Sequence, residues 1–265
     1  MPTVDVNGTE LFYHEAGTGP SILLVHGMCG SADVWNDQLA RLSPHFHCVA
    51  YDRRGHTRSP LGNLEQRTVE VHADDAAALI QALRLDPCLI VGSSGGARIV
   101  IDVVRRYPRL LRGAVLSEPP LFALDPASTP VFLRDVKPRI EEAVATGGPR
   151  AAVDAFFDVV CPGLWSGLDD SHRNPYRDNH RELFGDLQMP PYQITLADLR
   201  AIQTPCLIIR GARSHPVLRH IAELLAEGIP GAESLEFAEC GHVTYFEQPE
   251  AFARSVIEFA NRHLE

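Results

Sequence analysis

The chain has 265 residues, 45% of them hydrophobic, with 34 acidic against 24 basic side chains and a formal net charge of −10. That length and apolar content suffice for one large α/β core with an insertion, and the acidic balance argues against the basic face of a nucleic-acid binder. Residues 1–10 hold no positive start and no apolar signal core, and no window approaches the run of about 18 apolar residues that spans a bilayer, so a cytoplasmic protein without a membrane partner is expected.

Residues 4–6 and 11–14 flank Asn7-Gly8, a hairpin turn signal, which predicts an antiparallel strand pair. Residues 22–25 form a short apolar strand that ends in His26-Gly27-Met28-Cys29-Gly30, and a helix is expected over 32–42. Acyl-transfer chemistry needs two preorganised N–H donors for its oxyanion, and a loop leaving a strand beside the nucleophile strand supplies one. Met28 is the donor expected there, with the N–H of Gly95 as its partner. Residues 46–51 read as the next strand. The charged loop 52–59, with Gly55 at its bend, is given a structural role in which Asp52 pairs with Arg54 or Arg58. A helix follows over 68–85, with Asp74 and Asp75 read as solvated acids.

The most informative stretch is Cys88-Leu89-Ile90-Val91-Gly92-Ser93-Ser94-Gly95-Gly96, an apolar strand that breaks into a Gly-flanked serine and then a helical pattern over 97–107. Gly92, Ser94 and Gly96 satisfy G-x-S-x-G, in which small flanking residues let the serine sit on a strained strand-to-helix turn. Ser94 is therefore the expected nucleophile. Residues 113–116 are another strand, ending in Ser117-Glu118-Pro119-Pro120.

From residue 121 to about 199 no buried-type strand is expected, only helical segments such as 131–145 and 151–160, which reads as a helical cap inserted into a core formed by residues 1–120 and 200–265. Alternation then resumes, with strands over 206–210 and 234–237 and helices over 217–225 and 249–263. The pattern implies a mostly parallel sheet with helices on both faces. A serine hydroxyl needs a base, and His242, directly after the last strand, leaves the same sheet edge as Ser94. The six cysteines have neither disulfide nor metal spacing and read as small core residues; no metal and no cofactor is expected.

Taken together, His26-Gly27 with Trp35, Asp52-Arg53-Arg54-Gly55 with Ser59, Gly92-Ser93-Ser94-Gly95-Gly96, and Gly241-His242 with Glu247, Pro249, Glu250 and Phe252 resemble the α/β-hydrolase superfamily over nearly the whole chain. The resemblance implies a carboxylate that orients His242, usually placed after the strand that here ends at Arg210-Gly211. This sequence departs there, reading Gly211-Ala212-Arg213-Ser214-His215-Pro216 without an acid. Glu118, at the end of the strand after the nucleophile strand, is the acid expected instead, an arrangement similar to haloalkane dehalogenases and to the lactonases that open zearalenone; Glu239, Asp125 and Asp198 compete for the role.

The resemblance implies a serine hydrolase that cleaves a carboxylic ester or lactone through an acyl-enzyme. Dehalogenation and epoxide hydrolysis in this fold want a carboxylate where Ser94 stands. Carbon–carbon bond hydrolysis or cofactor-independent oxygen chemistry on the same site is the alternative, and a ligand-binding receptor or degenerate hydrolase a third. The partner expected is a small hydrophobic ester or lactone, aromatic or macrocyclic, with Trp165, Cys29, Phe122, Tyr192 and Val243 as substrate contacts. Trp165 is singled out because its indole would donate a hydrogen bond while covering the ligand. A homodimer stays open.

Overall fold

Strands that are apolar on both faces belong in the middle of a layered structure. The computed structural model describes residues 2–62, 67–188 and 191–264. Its strands are β1 (Thr3–Val6), β2 (Thr9–Ala16), β3 (Ser21–Val25), β4 (His47–Tyr51), β5 (Cys88–Ser93), β6 (Leu111–Ser117), β7 (Cys206–Gly211) and β8 (Glu233–Phe237). Among the described residues they form one eight-stranded sheet in the order β1-β2-β4-β3-β5-β6-β7-β8. β2 is antiparallel to both neighbours, and all pairings from β4 to β8 are parallel. Asn7 and Gly8 adopt positive φ at the β1–β2 turn, as a tight hairpin requires.

The helices are α1 (Asn36–Leu42), α2 (Val69–Ala82), α3 (Gly95–Arg106), α4 (Thr129–Gly147), α5 (Pro149–Val160), α6 (Leu164–Gly167), α7 (Asp170–Asp178), α8 (His180–Gln188), α9 (Leu196–Arg200), α10 (Pro216–Gly228), α11 (Thr244–Glu247) and α12 (Pro249–His263). Successive strand residues point to opposite faces. Leu23, Ile90, Ala114 and Ile208 therefore share one core with α2, α3 and α10. Leu24, Leu89, Val115 and Leu207 share the other with α1 and α12. Between β6 and β7 the described chain contains helices and no strand.

One local expectation changes, and one left between two partners is decided. Asp75 is not solvated: it is buried and forms a bidentate pair with buried Arg54, with Arg54 Nε to Oδ2 at 2.8 Å and Nη2 to Oδ1 at 2.7 Å. A guanidinium taken out of water requires such a partner. Asp52 consequently pairs with Arg58 and not Arg54, accepting from Arg58 Nε at 2.7 Å, and it also accepts from the Ala32 N–H at 2.6 Å. All six cysteines are buried and unbridged, and burial pushes the Cys48, Cys88 and Cys206 thiols up to about 12.

The register sets up the sheet's carboxyl edge. Ser93 lies opposite Ser117, and Ser117 opposite Ile209, so the residues that follow leave adjacent strands at one level. Ser94 N donates to Ser117 O at 2.8 Å and Glu118 N to Ile209 O at 3.1 Å, continuing the ladder one step beyond the strands.

Candidate active site

Ser94 stands between β5 and α3 with φ 53° and ψ −123°, a conformation that non-glycine residues adopt only when their surroundings over-determine it. Here a methyl group at Gly96 would run into the carbonyl oxygens of Val25 and His26, so the start of α3 lies directly on the end of β3. That closeness also gathers the amides. A Cβ on Gly95 would lie 3.4 Å from the Met28 nitrogen, and no backbone acceptor within the described residues meets either N–H. The first N–H groups of a helix have no partner inside it. Both therefore remain available beside Ser94.

The loop carrying Met28 is held from outside. Gly27 O accepts from Gly30 N at 3.3 Å and from Arg53 Nη2 at 3.1 Å. His26 Nε2 accepts from Arg53 N at 3.0 Å, which leaves the proton on Nδ1 to donate to Gly27 O at 2.9 Å. Burial, and next the Arg53 charge, hold the His26 imidazole well below its ordinary pKa, so it stays neutral in this role.

Asn179, between α7 and α8, completes the grip. Its Nδ2 donates to Cys29 O at 3.1 Å and Gly30 O at 3.0 Å, and its Oδ1 accepts from Thr57 N at 3.1 Å. Cys29 and Thr57 both have positive φ, 56° and 46°, so this buried amide spans two strained loops at once. The sequence reading missed Asn179. It is a polar residue in a polar stretch, 150 positions from Cys29, and no local pattern marks it.

Glu118 lies at the end of β6 with φ 48° and is fully buried. Its Oε1 accepts from Gly211 N at 2.7 Å. Its Oε2 meets His242 Nδ1 at 2.5 Å and accepts from Ser214 Oγ at 2.5 Å. The competing acids lie elsewhere: Glu239 pairs with Arg213, Asp198 with Arg105 at 2.9 Å, and Asp125 accepts from Ser128 N at 3.1 Å. The loop carrying His242 crosses the end of β7, where any side chain at Gly211 would meet the Gly241 carbonyl. Glu247 steadies that loop by accepting from Gly241 N at 2.9 Å and Val243 N at 3.3 Å. With Nδ1 held on the Glu118 side, Nε2 is the nitrogen left for the cavity.

Ser94, His242, Met28 and Val243 line a small cavity of ≈30 Å³. A larger one of ≈340 Å³ adjoins it, sharing Val34, Phe157, Tyr176, Val243 and Tyr245 in its walls. Among the described residues no hydrogen bond joins Ser94 Oγ to His242, a looseness common before substrate binds.

The predicted substrate contacts divide. Val243 lines both cavities and Trp165 the larger one. The Trp165 indole N–H is already committed, donating to Asp154 Oδ1 at 2.8 Å, while its ring stacks on Phe157 at 4.4 Å, so it offers a surface and not a donor. Cys29, Phe122 and Tyr192 line neither cavity. Cys29 is buried beneath its loop, and Phe122 packs on Phe132 at 5.0 Å. Tyr192 bonds Asp102 at 2.7 Å, toward the far end of α3 from Ser94. An aromatic side chain that sequence alone assigns to a pocket is as readily used to close the core of its own helical layer.

The profile of the Alpha/beta hydrolase family matches residues 22–255. The chain is 41% identical over 123 residues to the uncharacterized hydrolase YraK of Bacillus subtilis (strain 168), a match spanning 46% of this chain and 45% of that protein. It is 27% identical over 266 residues to the putative carbamate hydrolase RutD of Pseudomonas savastanoi pv. phaseolicola (strain 1448A / Race 6), covering 95% of this chain and 98% of that one. Its fold is similar to the enol-lactonase of Burkholderia xenovorans LB400, with a TM-score of 0.81 and 23% identity over 98% of this chain and 100% of that one. It is likewise similar to the meta-cleavage product hydrolase CumD of Pseudomonas fluorescens IP01, with a TM-score of 0.82 and 21% identity over 99% of this chain and 98% of that one. No helix among the described residues is long and apolar enough to cross a membrane.

Proposed function

The chain belongs to the alpha/beta hydrolase family, and we propose that it is a serine hydrolase acting on a carboxylic ester or lactone with a hydrophobic substrate. The observation that carries this reading is the Glu118–His242 contact at 2.5 Å, with His242 and Ser94 on the wall of one cavity. Ser94, His242 and Glu118 act as a catalytic triad, and the helices between β6 and β7 act as its cap.

In the first step His242 Nε2 takes the Ser94 proton as Oγ bonds to the carbonyl carbon. The oxyanion rests on the Met28 and Gly95 amides, and Glu118 stabilises the imidazolium without taking its proton. His242 then returns the proton to the departing alcohol as the carbonyl–oxygen bond breaks. Water repeats the cycle on the acyl-enzyme: His242 removes a water proton, hydroxide adds, and Ser94 Oγ leaves with that proton.

The test is turnover of a panel of esters and an aromatic macrocyclic lactone by wild type, Ser94→Ala and Glu118→Gln, with folding checked. Activity that vanishes with Ser94 and falls steeply with Glu118 supports the reading. Activity indifferent to Glu118→Gln overturns the acid's role, and a folded wild type that turns over no ester or lactone overturns the reading itself.

A further inference from the structure

We propose that the substrate is an uncharged linear ester of a very short acid, of acetyl size, with a bulky apolar or aromatic alcohol. This rests on the serine-hydrolase reading above and narrows it.

Size comes first. The space at Ser94 is ≈30 Å³. Measured in the same way, that is about a tenth of the ≈340 Å³ in the adjoining cavity, so the chamber at Ser94 takes only the smaller arm of a substrate. Phe156 and Val160 of α5 wall this chamber and not the ≈340 Å³ cavity beside it. The larger half of any substrate belongs in that second cavity, against Trp165 stacked on Phe157 at 4.4 Å and Tyr176 edge-on to Phe157 at 5.2 Å.

Orientation decides which half is large. The leaving oxygen must lie within reach of His242 Nε2 to receive its proton. Val243, Tyr245 and Phe246, which directly follow His242, form one wall of the larger cavity. A chain that starts at the alcohol oxygen runs along that wall, while the acyl substituent, on the other side of the carbonyl, is turned toward Phe156 and Val160. The acyl arm of a macrocyclic lactone is a chain of many carbons, more than the small chamber walled by Phe156 and Val160 is proposed to hold.

Charge points the same way. Among the described residues that line the two cavities there is no lysine or arginine, while Asp33 and Asp37 line the outer one. Arg58 and Arg41, which pair with Asp33 and Asp37, line neither cavity and are already held by those carboxylates. A carboxylate or phosphate on the substrate would lose water and meet no permanent cation.

The test uses two ester series on the wild-type chain. For 2-naphthyl esters we expect kcat/KM to fall about 10- to 100-fold from acetate to hexanoate, and for acetates to rise from methyl through benzyl to 2-naphthyl. A 4-acetoxybenzoate should be at least about tenfold poorer than its methyl ester. Val160→Ala, or Phe156→Leu if that variant does not fold, should raise the ratio of butyrate to acetate turnover. Equal or better use of hexanoate, preference for the anionic ester, or an unchanged ratio in a folded variant overturns the proposal. Labelling of Ser94 by a small methylphosphonate ester separates the two levels. Labelling with a flat acyl profile overturns only the size claim, whereas a folded chain that is neither labelled nor active on any ester overturns the hydrolase reading and this proposal with it.

Discussion

Ser214 donates its hydroxyl to Oε2 of Glu118 at 2.5 Å, the same oxygen that meets His242 Nδ1 at 2.5 Å. The loop after β7 therefore reaches the place from which an acid would serve His242, but it supplies a neutral donor. Glu118→Ala is expected to lower kcat by about 10³- to 10⁴-fold, as loss of a triad acid does. Adding Ser214→Asp to that variant should recover at least about tenfold, because the new carboxylate enters vacated space within reach of Nδ1. Ser214→Asp alone should lose activity, since two carboxylates would then crowd one imidazole. Rate constants and thermal unfolding of the three variants check this, and an active Glu118→Ala chain would assign the acid elsewhere.

Asn179 holds Cys29 and Gly30 by their carbonyls and so steadies the loop that carries the Met28 N–H. One oxyanion donor is worth about 10²- to 10³-fold in kcat, and a donor left in place but misdirected loses part of that. Asn179→Ala should lower kcat about 10- to 100-fold with a smaller change in KM. Asn179→Asp should be no better, because it turns acceptors toward carbonyl oxygens. Inhibition by a trifluoromethyl ketone should weaken in step with kcat/KM, which general loosening of the fold would not produce.

His26, His56 and His72 are buried with ring centroids 4.9 and 6.3 Å apart in sequence, and burial first, then the Arg53 charge, lowers the pKa of each well below the ordinary value. The folded chain thus keeps them neutral while the unfolded chain protonates them below about pH 6.5. Stability is therefore full above that pH and falls as pH drops through it, by up to about 4 kcal/mol per pH unit if all three contribute. Denaturant unfolding at pH 7.5, 6 and 5 measures the slope. His72→Leu should reduce it by about a third, since among the described residues neither His72 ring nitrogen has a hydrogen-bond partner to lose.

Removing one partner of the buried Arg54–Asp75 pair leaves an uncompensated charge, so Asp75→Asn should destabilise the chain by about 3–5 kcal/mol. The neighbouring Asp74→Asn, half-exposed, should cost less, although it pairs with Arg106. Urea midpoints of the two variants give the comparison, and equal effects would contradict the burial difference.

Much of the fold was legible because hydrophobic periodicity is local. The strand ending at Ser93 and the helix after it stand within a residue or two of their expected bounds, and the helix at 249–263 coincides with α12. The start of α3 shows why boundaries slip: it begins at Gly95, two residues before the apolar pattern, directly after the turn at Ser94. Burial of a charge was not legible. Asp74 and Asp75 are adjacent and chemically alike, and only the arrival of Arg54 from another loop distinguishes them.

What the sequence determined by itself is the set of residues whose role depends on neighbours along the chain. Glycines at 92 and 96 permit the turn that presents Ser94, and the ends of β5, β6 and β8 send Ser94, Glu118 and His242 to one edge of a parallel sheet. What only the tertiary structure decided is everything that depends on distance across the chain: that Oε2 of Glu118 is shared by His242 and Ser214, that Asn179 braces the loop of Met28, and that Trp165 lines a cavity while Phe122 and Tyr192 do not. The physical reason is that backbone propensity and apolar period act over a few residues, whereas a hydrogen bond across 90 or more positions exists only after two independently formed elements have packed.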